Sequence, residues 1–103
     1  MTIVISDKPF KPWEELHRHE EQHADLLGRF GATAVFVGSM RDFNEDESVT
    51  AMTLEHYAGM TERHLQDICD AATARWDLLE TLVIHRVGDL VPGEPIVVVA
   101  VWS

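Results

Sequence analysis

Phe36-Val37-Gly38-Ser39-Met40-Arg41, continuing through the acidic segment Asp42 to Ser48 into Leu54-Glu55-His56-Tyr57-Ala58-Gly59-Met60, is the stretch that decides how this chain is read. It predicts a strand ending in an arginine, an acidic loop, a second strand and the start of a helix. A single Arg closing an otherwise apolar strand beside a loop is where a sheet can present a fixed cation to an anionic ligand. Side-chain chemistry alone leaves Arg41 with two readings, an anion site or a neutral residue at a strand end.

Toward the N-terminus, residues 2 to 6 alternate weakly and are rich in β-branched side chains, which predicts a short first strand. Pro9 and Pro12 mark a turn. Trp13, Leu16, Ala24 and Leu27 then fall on one side of a helical period that stops at Gly28, as in a surface helix. Gly31 to Arg41 is apolar on both faces, which predicts a central strand, and Val49 to Tyr57 is expected to return against it as a hairpin.

Toward the C-terminus, Leu65, Ile68, Cys69, Ala72 and Trp76 form a continuous apolar stripe, so residues 59 to 76 read as a helix. Thr81 to Val87 and Pro95 to Trp102 read as strands, separated by the turn residues between Gly88 and Gly93. The order β-α-β-β-α-β-β predicts an α+β domain over residues 1–103 with two main helices and a mostly antiparallel sheet. Val101-Trp102-Ser103 ends the most hydrophobic strand with nothing after it to cover its faces, which gives the expectation of a sequence cut short.

Composition narrows the function classes. Hydrophobic residues make up 46% and charged residues 25%, the balance of an ordinary globular protein. The net charge of −10 repels nucleic acid and anionic membrane, so an anionic ligand needs a locally basic spot. No apolar run approaches the roughly 20 residues that span a bilayer, no signal peptide precedes the first strand, and Cys69 is the single cysteine. A cytoplasmic protein is the expectation.

His19-Glu20-Glu21-Gln22-His23 matches H-E-x-x-H, in which two histidines one turn apart bind zinc and the Glu activates water. The plainer reading is a solvated helix face, because no downstream segment stands out as the donor of a third ligand. Neither a metal nor a cofactor is therefore assigned. Cys69, on its apolar stripe, reads as a buried inert thiol. His56, His64 and His85 read as separate structural or surface histidines unless the fold gathers them. Arg86, on one face with Leu82 and Ile84, requires an anionic partner, for which Glu55 is a reasonable choice.

Taken together, Gly31-Ala32, Phe36-x-Gly38-x-x-Arg41, Asn44, Leu54-Glu55-His56-Tyr57-x-Gly59-Met60, His85-Arg86-Val87-Gly88 and Gly93-Glu94-x-Ile96-Val97 resemble the large, catalytic subunit of molybdopterin synthase. The resemblance implies an α/β-hammerhead fold, a homodimer, and a ubiquitin-like small subunit on each large one, giving a heterotetramer. It implies molybdenum cofactor biosynthesis, with sulfur passing from the small subunit's thiocarboxylate to cyclic pyranopterin monophosphate. Substrate binding is carried to Ser39, Met40 and Arg41. Ser39 stands where Lys is frequent, Asp46 where Gly is frequent and Ala58 where Pro is frequent.

The lysines that the family is thought to use in catalysis lie beyond the position of Ser103, and this sequence has no lysine after Lys11. Catalytic residues are therefore left unassigned. The alternative expectation is a dimerisation or small-subunit-binding module without turnover.

Overall fold

The computed structural model describes residues 1–44, 47–57 and 59–103. Asp46 and Ala58, two of the departures from the family pattern, lie outside the described residues.

Residues Thr2–Ser6 form β1, Pro12–Gln22 α1, Thr33–Ser39 β2, Phe43–Asn44 β3, Glu47–Ser48 β4 and Met52–Leu54 β5. Met60–Trp76 form α2, Glu80–Arg86 β6, Gly88–Leu90 β7 and Pro95–Trp102 β8, and a short 3-10 turn at Ala24–Leu26 follows α1. The main sheet runs β1-β6-β8-β2. Within it β1 pairs with β6 in parallel, while β6–β8 and β8–β2 are antiparallel. The α+β reading with a mostly antiparallel sheet therefore holds.

Alternation along β6 and β8 assigns the two faces. Leu82, Ile84, Val98, Ala100 and Trp102 form one buried cluster, against which Leu16 of α1 and Phe10, Phe30, Val35 and Val37 pack. Thr81, Val83, Val99 and Val101 point the other way, toward Leu65, Cys69 and Ala72 of α2, around a narrow apolar cavity of ≈ 190 Å³. Each helix thus covers one face, and Cys69 is buried as its position on the stripe predicts. The start of α2 is fixed locally, because the Glu62 carboxylate accepts the Gly59 N–H at 2.7 Å.

Three expectations are corrected. First, β2 lies at an edge of the main sheet, not at its centre. Its two-sided apolar pattern misleads because Ala34 and Phe36 are exposed, while β6 and β8 occupy the centre. Second, the strand after the acidic loop does not return against β2. Met52–Leu54 pairs instead with Gly88–Leu90, and β3 and β4 make their own small ladder before it. Third, the expected α1 stripe faces inward only at Leu16: the helix ends at Gln22, ahead of Ala24 and Leu27, and Trp13 and Leu27 are more than half exposed. Pro12 and His19 are its buried positions.

Candidate functional site

The end of β2 is re-aimed by an irregularity in its pairing. Gly38 is in register with Val97, but Ser39 pairs with Pro95, so Ile96 is the extra residue of a β-bulge. Gly38 is suited to this crowded place, since a Cβ there would sit 3.1 Å from Val97 Cγ1.

Beyond the bulge, the Met40 N–H donates to the Glu94 carbonyl at 2.9 Å, and the Met40 carbonyl accepts the Gly93 N–H at 2.7 Å. Gly93 takes φ +92, a left-handed conformation that glycine adopts without steric cost. Met40 is consequently buried and fixed, and Arg41 next to it is delivered to the surface.

The turn that holds Met40 is itself held by Arg86. The Arg86 Nη1 donates to Glu94 Oε2 at 3.2 Å, Nη2 donates to the Asp89 carbonyl at 2.8 Å, and Glu94 Oε1 accepts the Val91 N–H at 2.8 Å. The partner of this buried Arg is therefore Glu94 and not Glu55, which is exposed. Glu94 lies only eight residues beyond Arg86, in the turn that follows β7.

The Val91 N–H, and after it the Arg86 guanidinium, hold the Glu94 carboxyl below the usual carboxylate range. A depressed carboxylate stabilises the fold above its unfolded value, near about 4.3, and that contribution is lost as pH falls through the folded value. We expect the wild type to exceed Glu94→Gln in urea midpoint at neutral pH, with the gap closing in acid. A gap unchanged down to pH ~3 would contradict this assignment.

Ser39, Met40 and Arg41 meet in one cleft of ≈ 380 Å³, together with Val49, Ala51 and Met52 from the segment leading through β5 and Ile96 of the bulge. Among the described lining residues Arg41 is the one that carries a charge, and none is a His, Cys, Lys, Asp or Glu. Such a pocket can hold an anion by charge-assisted hydrogen bonds, but its described walls offer no acid or base. Val49, Ala51, Met52 and Ile96 were missed from sequence, because the first three depend on the β5–β7 pairing and the last on the bulge.

A second cleft of ≈ 320 Å³ brings His64 of α2 and His85 of β6 together, beside Glu55 and Tyr57. His85 Nδ1 donates to the Arg86 carbonyl at 2.6 Å. His56 stands apart from that lining, with Nε2 3.7 Å from Glu62 Oε1.

The H-E-x-x-H segment is placed differently from its solvated reading. His19 is buried, its ring stacks on His23 at 4.1 Å and on Trp102 at 5.1 Å, and Glu80 of β6 faces both histidines. Burial, then the neighbouring His23, lowers the His19 pKa. Glu20 takes no part, since its Oε2 accepts the Trp102 indole N–H at 3.3 Å.

Comparison with known proteins fits the fold. The family model described as "MoaE protein" matches residues 5–103. The chain belongs to the MoaE protein family. A molybdopterin synthase catalytic subunit of Escherichia coli (strain K12) is 46% identical over 101 residues, covering 98% of this chain and 64% of the relative. The chain thus spans 64% of the length of that MoaE relative.

Among solved MoaE structures, molybdopterin cofactor biosynthesis protein E from Burkholderia multivorans superposes with a TM-score of 0.80 at 35% identity. The match covers 99% of this chain and 63% of that one. A chain of the protein–protein complex of subunits 1 and 2 of molybdopterin-converting factor from Helicobacter pylori shares the fold. Its TM-score is 0.76 at 20% identity, over 98% of this chain and 64% of that one. No helix among the described residues is long and apolar enough to cross a membrane.

Proposed function

We propose that this chain acts in molybdenum cofactor biosynthesis as the large subunit of a molybdopterin synthase. Its Ser39–Met40–Arg41 cleft binds the anionic part of cyclic pyranopterin monophosphate while sulfur arrives from a thiocarboxylated, ubiquitin-like small subunit. The observation that carries this reading is the convergence of those three residues in one cleft whose charged, described lining residue is a cation. Phosphate and thiocarboxylate are both anionic, and a guanidinium binds either with fixed geometry. The H. pylori likeness, to a chain from a two-subunit complex, motivates the small-subunit partner, and a homodimer of large subunits is part of the same proposal.

The reading is tested by supplying the purified chain with the thiocarboxylated small subunit and cyclic pyranopterin monophosphate, and following formation of the dithiolene product. Arg41→Ala is expected to fold normally and to weaken binding of the pterin phosphate by about 1 to 3 kcal/mol. Affinity unchanged in a folded variant would remove Arg41 from the site.

A second reading, a module that binds the small subunit or a second copy without turnover, is favoured by one feature. The described cleft walls carry no acid or base. Calorimetric binding of the small subunit with no product formed would select that reading.

A further inference from the structure

We propose that His19, His23 and Glu80 form a structural site for a divalent transition metal of the zinc class, clamping α1 to the start of β6. The ligand atoms of the three residues lie within 4.8 Å of one another. His19 Nε2 is 3.6 Å and His23 Nε2 3.3 Å from the same oxygen, Glu80 Oε2. A charge-assisted N–H···O bond is shorter, at about 2.7 to 2.9 Å. Zinc bonds of about 2.0 to 2.2 Å at tetrahedral angles instead set neighbouring ligand atoms about 3.4 Å apart, close to the two histidine–carboxylate spacings.

The surroundings orient the donors as metal ligands are oriented. His23 Nδ1 lies 2.9 Å from the His19 carbonyl, which can only accept, so that nitrogen carries the proton and Nε2 keeps its lone pair toward Glu80. The Glu80 Oε1 is occupied by the Thr81 N–H at 2.8 Å and by the N-terminal amine of Met1, leaving Oε2 for the centre. His19 Nε2 is a buried ring nitrogen without a hydrogen-bond partner in a residue 5% exposed, an arrangement that is costly to leave unmet. Two imidazoles with one carboxylate suit zinc and its neighbours rather than calcium or magnesium.

The fourth position falls to water on the side of His23, the more exposed of the three residues. With Glu20 engaged by Trp102, the segment lacks the free carboxylate that a hydrolytic H-E-x-x-H requires, so the role is structural.

The test is titration of chelator-treated protein with Zn²⁺ by calorimetry, with Co²⁺ as a spectroscopic probe of tetrahedral geometry. One ion per chain is expected, with a raised thermal midpoint, and His23→Gln should lose at least about tenfold in affinity with an unchanged circular dichroism spectrum. His17→Gln, which alters the exposed His17–Glu21 pair on the same helix, should bind as the wild type does. Absence of stoichiometric binding would overturn the proposal. So would His23→Gln binding as tightly as wild type, or His17→Gln abolishing binding.

Discussion

Trp102→Ala is expected to destabilise the protein by about 3 to 5 kcal/mol, the range for deleting a large buried aromatic. Domains of this size have only about 5 to 15 kcal/mol in total, so much of the margin goes. Trp102 is 1% exposed, belongs to the same cluster as Leu82, Ile84, Val98 and Ala100, and stacks on His19. Its indole also donates to Glu20, which ties the last strand to α1. Urea denaturation followed by tryptophan fluorescence and far-ultraviolet circular dichroism measures the loss. Trp102→Phe, which keeps most of the volume and forfeits one hydrogen bond, should cost about 1 kcal/mol. Equal losses in the two variants would mean that the indole N–H, not the packing, carries the effect.

Arg86→Met is expected to cost about 2 kcal/mol of stability and, unlike the tryptophan change, to reach the cleft. The side chain is 2% exposed, and its loss leaves the Asp89 carbonyl without its donor and Glu94 without its cation. Glu94 is partly solvated, which keeps the penalty below that of stranding a fully buried charge. The turn freed in this way is the one whose backbone brackets Met40. Arg86→Met should therefore lower affinity for the pterin phosphate even though Arg86 does not line the cleft. If stability falls and affinity does not, the Arg86–Glu94 pair serves the fold alone.

The sequence was informative where one physical signal dominated. Pro95–Trp102 emerged at its observed bounds because eight nearly continuous apolar residues between turn signals have few alternatives. Met60–Trp76 emerged because its stripe, from Leu65 to Trp76, keeps a helical period for about three turns. Arg41 stood out as a cation closing an apolar strand, and its neighbours Ser39 and Met40 line the cleft with it.

What escaped depends on distant pairing. β7 is three residues long and reads as turn chemistry, so nothing local announced that it would take β5 as its partner. The burial of His19 was invisible for a similar reason. A polar helix face is read as solvated unless a buried acid awaits it, and Glu80 comes from a strand far along the chain.

The parallel pairing of β1 with β6 has a kinetic meaning. Thr2 is in register with Leu82 and Ser6 with Arg86, so β1 waits for a strand that is synthesised long after it. The two central strands, β6 and β8, both belong to the C-terminal part of the chain, and the N-terminal strands β1 and β2 can only add to their outer edges. Loop closure over such separations comes before any reward from contact, which makes folding slow and keeps the N-terminal strands exposed in the meantime. A growing chain released before β8 is made would carry β2 without its partner and one edge of β6 open, and chaperone binding should concentrate in that interval.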